Sequence, residues 1–441
     1  MLIGAAVLVL TAAAAGPVLA QEASYQPVAQ FRSPDNYLQV QEAVVHTDNA
    51  QLTSNARVSD TLSLTGFAID YTESGSRLDL DARGTLDWVE YLDHTFPGAP
   101  VGGLNASAIW GHSADLFQLI ARDTFGQVVA DPLSSPTPTN LEQVNYLTVG
   151  PQINFNLDTT SRLTLYGLFS NVTYQRSPYD SNSFEGGAAL VHDLSTASEL
   201  GLHVDEQHTS FESQSAAADF SIRSAYLSYA AQLNRTRASV DAGYSQLEQG
   251  ATKTGGPLLK LELDRVVAPS VTVYLRAQTE FSTAADALRT ETPSPLLLGA
   301  IAATASPEPY QDHSLGLGTS FNYARTKLSL LGTVDRVGYR QNTTFDVRNT
   351  NLVATLQRSL SPTVSAGLNV ERTYQHFLNI AADLAETTVD ASVTKKLRRL
   401  GLTAYFQRRH HTASGSQTSL VTNFDESRVG VNVTYDVIGR H

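Results

Sequence analysis

Apolar and polar residues alternate along the chain from about Tyr37 to the C-terminus. Residues 78–88 show this pattern most clearly, with apolar or small side chains on one face and mainly charged side chains on the other. A period of two residues indicates a β-strand whose two faces meet different surroundings. Repeated along a secreted chain, the pattern predicts strands that present apolar residues to lipid and polar residues to a lumen.

Two kinds of connection separate the predicted strands. Short turns rich in Gly, Asn, Asp, Ser and Pro alternate with longer polar segments. The short turns are predicted at residues 75–76, 111–115, 158–161, 193–198, 234–237, 268–270, 323–326, 359–363 and 396–400. The longer connections are predicted at residues 46–60, 93–103, 126–142, 175–182, 211–219, 248–257, 282–313, 377–386 and 411–426, with a briefer one at 341–343.

This alternation of short and long connections is typical of outer-membrane barrels, whose short turns face the periplasm. The sequence therefore predicts an all-β fold, a transmembrane antiparallel up-and-down β-barrel of about 18–20 strands with long extracellular loops. The strands must close into a barrel because an open edge would leave unpaired backbone groups in hydrocarbon. A barrel of this size is too wide for side chains alone to fill, so a lumen is expected.

The first 20 residues form an apolar run that ends in Val18-Leu19-Ala20. This pattern predicts a signal peptide over residues 1–20, with a membrane anchor as the alternative interpretation. We expect residues 21–36 to form a short periplasmic segment and residues 37–441 to form the barrel. The predicted location is the outer membrane of a Gram-negative bacterium, where lipid and the barrel assembly machinery are the expected partners.

Composition limits the chemistry that the chain can perform. The net charge of -13 argues against a nucleic-acid partner, which requires a basic surface. The absence of cysteine excludes disulfides and thiolate metal sites. The sequence lacks a G-x-S-x-G elbow, an H-E-x-x-H motif and a phosphate-binding loop, so we expect no enzyme, no catalytic residue and no cofactor. His410 and His411 are adjacent and therefore face opposite sides of a strand, so no metal site is expected there.

The predicted inward face carries charges of both signs and several tyrosines. It lines a hydrated path in one interpretation, whereas in the other the charges only pair across neighbouring strands. The lumen-lining candidates are Asp79, Asp81, Arg83, Asp87, Tyr166, Asp205, Lys260, Glu262, Asp264, Tyr274, Arg276, Glu280, Glu371 and Asp390.

The longest predicted loop, residues 282–313, contains an apolar run between prolines. One interpretation is that this run folds into the barrel mouth as a constriction or lid, or docks on a partner. The other is a small helix packed on neighbouring loops at the surface. The constriction candidates are Leu296, Leu297, Leu298 and Ile301.

Several short motifs resemble those of the β-barrel porin type-2 family, outer-membrane barrels associated with exopolysaccharide and exosortase systems. These motifs are Thr47-Asp48-Asn49, Ser59-Asp60 with Leu62 and Leu64, Gly75-Ser76-Arg77-Leu78, residues 87–91, and Glu426-Ser427-Arg428-Val429-Gly430-Val431. The resemblance implies an integral outer-membrane barrel without catalytic residues. It also implies a role as the terminal conduit for a polysaccharide, together with a periplasmic export partner.

The expected function is therefore a channel that exports an exopolysaccharide. The alternatives are a general diffusion porin for small polar solutes, a structural or adhesive barrel, and an outer-membrane hydrolase. A TonB-type receptor is not expected, because the segment before Tyr37 is too short to fold into a plug.

Overall fold

The computed structural model describes residues 36–111, 115–290, 305–341, 343–415 and 423–438. These residues form one closed antiparallel sheet of 20 strands in which each strand pairs with its neighbours in sequence and β1 pairs with β20. The first ten strands are β1 Tyr37–Thr47, β2 Asp60–Ser74, β3 Leu78–Tyr91, β4 Ala99–Trp110, β5 Phe117–Val129, β6 Leu141–Asn156, β7 Ser161–Tyr174, β8 Ser181–Ser195, β9 Ser198–Phe211 and β10 Phe220–Leu233. The others are β11 Thr236–Gln249, β12 Thr252–Ala268, β13 Val271–Ser282, β14 Tyr310–Tyr323, β15 Thr326–Tyr339, β16 Val347–Ser361, β17 Val364–Phe377, β18 Asp383–Leu397, β19 Leu400–Ser414 and β20 Phe424–Ile438.

The predicted barrel and its strand number are confirmed. Each predicted short turn joins two consecutive strands at one end of the barrel. A short helix, α1 Ala284–Thr290, and a 3-10 turn at Thr343–Phe345 lie in connections at the other end. Within the described residues, no helix is long and apolar enough to cross a membrane. The predicted signal peptide lies outside the described residues, as does all of the predicted periplasmic segment except Asn36.

The two faces of the barrel differ as the alternation predicts. Large apolar side chains such as Leu202, Leu317 and Val431 are exposed on the outer face, where the membrane would cover them. The inner face is polar over most of its height and becomes apolar and buried near the loop end, where Leu62, Val128 and similar residues lie. The barrel core therefore sits inside the extracellular mouth.

The predicted long connection at residues 248–257 is wrong. β11 ends at Gln249 and β12 begins at Thr252, so only a tight turn separates them. Lys253 binds Glu248 of the paired strand through a 2.9 Å ion pair, and the Tyr244 ring covers the backbone of Gly255. An aromatic ring over a strand glycine supplies the packing that glycine lacks, which explains why this polar, glycine-rich segment stays extended.

Candidate functional site

The lumen-lining candidates all lie on strands, at positions that alternate with the exposed apolar residues of the outer face. Several of them pair across neighbouring strands: Arg276 with Asp264 at 2.6 Å and Lys260 with Glu280 at 2.8 Å. Their remaining neighbours are polar, as in the 2.6 Å hydrogen bond between the Tyr274 and Ser320 hydroxyls. These pairs are compatible with a hydrated path and also with charges that only pair across neighbouring strands. That these residues line a hydrated path therefore stays a prediction.

The described ends of the connection between β13 and β14 pack against the inner face of distant strands. They place Ala285, Ala287 and Ala305 against an inner-face cluster of β5, β6 and β7 that contains Val128 and Val144. The backbone N–H of Ala305 donates to the carbonyl oxygen of Val129 at 2.8 Å. β5 lies eight strand steps from β13 in the closed sheet, so this contact is made across the lumen. We call the described residues of this connection, 283–290 and 305–309, the first crossing loop.

Helix α1 begins in this loop because Thr283 caps it. The Asp286 backbone N–H donates to the Thr283 hydroxyl at 3.2 Å, and the Asp286 carboxylate accepts from the Thr283 N–H and hydroxyl. Such a reciprocal cap satisfies backbone donors that the first turn leaves free. The constriction candidates Leu296, Leu297, Leu298 and Ile301 lie outside the described residues.

The connection between β5 and β6, residues 130–140, crosses the mouth in the other direction. Leu133 is buried in a cluster with Phe377, Ala382 and Leu384, which belong to the β17–β18 hairpin. β18 lies seven strand steps from β5 along the shorter path through β1 and β20. We call residues 130–140 the second crossing loop. The two crossing loops thus each contact strands that lie far from their own in the closed sheet.

Asn140 holds the second crossing loop in shape. Its side-chain amide donates to the carbonyl oxygens of Asp131, Ser134 and Ser135 at 2.9 to 3.2 Å. Its side-chain oxygen accepts from the Asp131 N–H at 2.9 Å. A loop whose backbone groups are satisfied from within keeps its conformation while its tip reaches across the lumen.

A cavity of about 230 Å³ lies in the mouth beside the second crossing loop. Two arginines, Arg176 and Arg428, contribute to its wall, and among the described residues that line it there is no aspartate or glutamate. The complete described lining is Ala50, Leu52, Val89, Tyr91, Pro97, Gly98, Ala99, Val101, Gln127, Pro136, Thr137, Pro138, Thr139, Leu141, Gln143, Gln175, Arg176 and Arg428. We call this space the mouth cavity. Its wall is apolar, amide-bearing and cationic.

A network of four charged residues is buried in the inner wall next to the mouth cavity. Arg409 joins Glu386 at 3.0 Å to Glu426 at 3.2 Å, and Arg428 binds Glu426 at 2.7 Å. The side chains of Arg409 and Glu426 are completely buried. We call Glu386, Arg409, Glu426 and Arg428 the charge network. Buried charges persist in a protein when they are paired in this way.

Polar and aromatic neighbours complete the charge network. Thr47 donates to Glu426 at 2.7 Å, and His411 contacts Glu386 at 3.2 Å. The Arg409 guanidinium lies 5.2 Å from the centroid of the Phe424 ring, on which the His411 ring also stacks. One Arg409 nitrogen, Nη2, has no hydrogen-bond partner among the described residues.

Sequence reasoning did not single out Arg409, Glu386 or Glu426 as a group. Alternation places each of them on the inward face, but nothing local shows that three strands bring them to one depth. The expectation for the histidine pair agrees with the structure: His411 faces inward to Glu386, whereas exposed His410 binds Asp425 at 2.8 Å. Within the described ranges, no group of three or more potential ligands could hold a metal ion.

Comparisons with known proteins extend only to the fold. No family model matches the chain, and no curated protein matches it in sequence. Similar solved structures include the FrpB iron transporter from Neisseria meningitidis (F5-1 variant), with 8% identity, a TM-score of 0.44, and coverage of 92% of this chain and 83% of that one. The siderophore receptor PirA from Acinetobacter baumannii has 7% identity, a TM-score of 0.48 and coverage of 92% and 81%. The copper transporter OprC has 11% identity, a TM-score of 0.42 and coverage of 92% and 81%.

The predicted export of an exopolysaccharide, with a general diffusion porin as the first alternative, is wrong. The similar structures named above are an iron transporter, a siderophore receptor and a copper transporter. The predicted polysaccharide-export partner is not supported by these findings either.

The likeness to these structures extends to the fold alone. No family model supports the specific resemblance to the type-2 porins. The closed 20-stranded barrel with an apolar outer face is the architecture of an integral outer-membrane protein.

Proposed function

We propose that this protein is a selective transporter that admits a small, negatively charged solute through an occluded outer-membrane barrel. The observation that carries the proposal is the pair of crossing loops, which bind opposite sides of the mouth through Leu133 and Ala305. A barrel of 20 strands is wide enough to hold an aqueous path, so loops that divide its mouth restrict what enters.

The chemistry of the mouth cavity favours an anionic solute. The Arg176 guanidinium donates to the Thr139 carbonyl at 2.9 Å and also to that of Leu141, and it forms no ion pair with any described residue. A nearby carboxylate, that of buried Glu142, accepts from the Arg176 backbone N–H at 2.5 Å and not from its guanidinium. Ligand sites combine an apolar lining with a few placed polar groups, and glutamines 127, 143 and 175 supply such groups here.

The purified barrel, reconstituted in a planar bilayer, tests the occlusion. We expect the wild-type protein to conduct ions poorly and the Leu133→Ser variant to open. Burying a leucine side chain stabilises by about 1.5–3 kcal/mol, so its loss raises the open fraction about 10- to 100-fold. Leu157→Ser is the matched control, because Leu157 is exposed in the short turn at the opposite end.

A large, steady wild-type conductance that Leu133→Ser leaves unchanged would refute the occlusion. Circular dichroism and heat-modifiable electrophoretic mobility establish that both variants are folded barrels.

Current block by citrate tests the ligand class in the opened Leu133→Ser barrel. We expect citrate to block the current and glucose not to, and we expect Arg176→Gln to weaken the block about tenfold or more through loss of one charged contact. Arg57→Gln is the control, because Arg57 lies in an extracellular loop but does not line the mouth cavity. Equal block by glucose and citrate would contradict the proposed charge of the solute.

A further inference from the structure

The outer face of β14 to β17 carries a row of basic side chains near the loop end. His313, Arg336, Arg348 and His376 stand on four consecutive strands, and each is directly opposite the next in the strand register. All four are exposed and alternate with the apolar residues of the outer face. We call them the basic row.

Like charges directly opposite one another destabilise a sheet unless something neutralises them. His376 binds Asp383 at 2.5 Å. By contrast, the side chains of Arg336 and Arg348 form no ion pair and no hydrogen bond within the part of the chain that the structure describes. The exposed outer-face arginine of β10, Arg223, differs in this respect. It binds Glu206 at 2.8 Å and Glu248 at 3.5 Å.

A groove of about 590 Å³ lies on the same face, four or more residues from the basic row towards the middle of the strands. It is almost entirely apolar, and Gly332 forms part of its floor between the side chains of Leu317 and Leu352. Arg372 stands at its edge, opposite Leu352, and donates to the Thr387 hydroxyl at 3.0 Å. The surface thus joins a cationic end to an apolar channel along the strands.

We propose that this surface binds one phosphorylated, acylated glycolipid of the outer leaflet, with its phosphate groups on Arg336 and Arg348 and an acyl chain in the groove. The order of the two parts matches that of a lipid in the membrane, because the basic row lies nearer the extracellular end than the groove does. Basic side chains at the headgroup level are a recurrent means of binding anionic lipid. The guanidinium group suits phosphate because it donates in a planar, bidentate arrangement.

Titration of delipidated barrel with bis-phosphorylated lipid A, followed by native mass spectrometry, tests the proposal. We expect one tightly bound lipid, and about 10- to 30-fold weaker binding when both Arg336→Gln and Arg348→Gln are present. Arg223→Gln is the matched control, an exposed arginine of the outer face whose charge is already paired. Dephosphorylated lipid A is the ligand control and should bind to wild type as weakly as lipid A binds to the double variant.

Gly332→Leu tests the groove separately from the charges. An added Cβ at Gly332 has only the Leu352 side chain, at 3.2 Å, in its way, so the variant should fold. A leucine there occupies the groove and should weaken lipid A binding while the basic row is intact. Unchanged binding by both variants, equal loss with Arg223→Gln, or lipid-free dimers that the same substitutions disrupt would overturn the proposal.

Discussion

Replacing Arg409 by leucine removes the cation that joins two carboxylates of the charge network. In the wild type Arg409 is completely buried and lies 3.0 Å from Glu386 and 3.2 Å from Glu426. After the replacement Glu426 still contacts Arg428 and Thr47. Glu386 keeps His411 at 3.2 Å and the Thr388 hydroxyl at 3.4 Å, but no arginine. The variant therefore leaves a largely buried carboxylate without its arginine.

The expected loss follows from that uncompensated charge. Removing one partner of a buried ion pair typically destabilises a protein by about 3–5 kcal/mol. The contact between Arg409 and the Phe424 ring adds about 0.5–2 kcal/mol that leucine cannot replace. We therefore expect the free energy of unfolding to fall by about 3.5–7 kcal/mol, near the lower limit if water reaches Glu386.

Equilibrium unfolding of the barrel in urea and phospholipid vesicles measures this change. Arg223→Leu is the control, because Arg223 is half exposed and its pair with Glu206 should contribute only about 0.2–1 kcal/mol. The double variant Glu386→Leu with Arg409→Leu should recover part of the stability, since it removes the unpaired charge as well.

A loss below about 1 kcal/mol for Arg409→Leu would refute the reasoning, because it would mean that the network is solvated like a surface pair. A double variant less stable than Arg409→Leu alone would also contradict it.

Two further predictions concern turns and loops. In the β6–β7 turn, Asp158 accepts hydrogen bonds from the Thr160 and Ser161 N–H groups, which lower the pKa of Asp158 to about 2. The folded-state pKa is thus below its usual value near 4. The stability lost in Asp158→Ala should therefore be greatest above pH 4 and shrink as the pH falls to 2. Unfolding curves that show a pH-independent loss would contradict this. Asn140→Ala removes four side-chain hydrogen bonds from the second crossing loop. We therefore expect the open probability in bilayer recordings to rise about tenfold. No rise would show that the conformation of the loop does not depend on Asn140.

The barrel could be predicted because its physical cause is local. Each membrane strand must alternate in polarity and each short turn needs residues that accept turn dihedrals, so both leave a record in the sequence. The error at residues 248–257 arose where β11 and β12 stay paired up to the tight turn at Gly250. There the Glu248–Lys253 pair and the ring of Tyr244 replace apolar alternation, so the strand signal is lost.

The site could not be predicted because its contacts join distant parts of the ring. Leu133 is an ordinary loop leucine until the fold places the β17–β18 hairpin opposite it. Glu386, Arg409 and Glu426 meet only because the registers of β18, β19 and β20 bring them to the same depth. Alternation shows which face a residue occupies but not how far along the barrel it lies.

Cross-linking of the second crossing loop to the opposite wall tests the occluded mouth most directly. The chain contains no cysteine, so Leu133→Cys and Ala382→Cys introduce the only two thiols. We predict rapid linkage by oxidation or a short bis-maleimide in native outer membranes, because both residues belong to one buried cluster. Leu133→Cys with Ala285→Cys, which belongs to a different cluster, should not link at the same rate. Absence of linkage between positions 133 and 382 in folded protein would contradict the occluded barrel and the selective transport proposed from it.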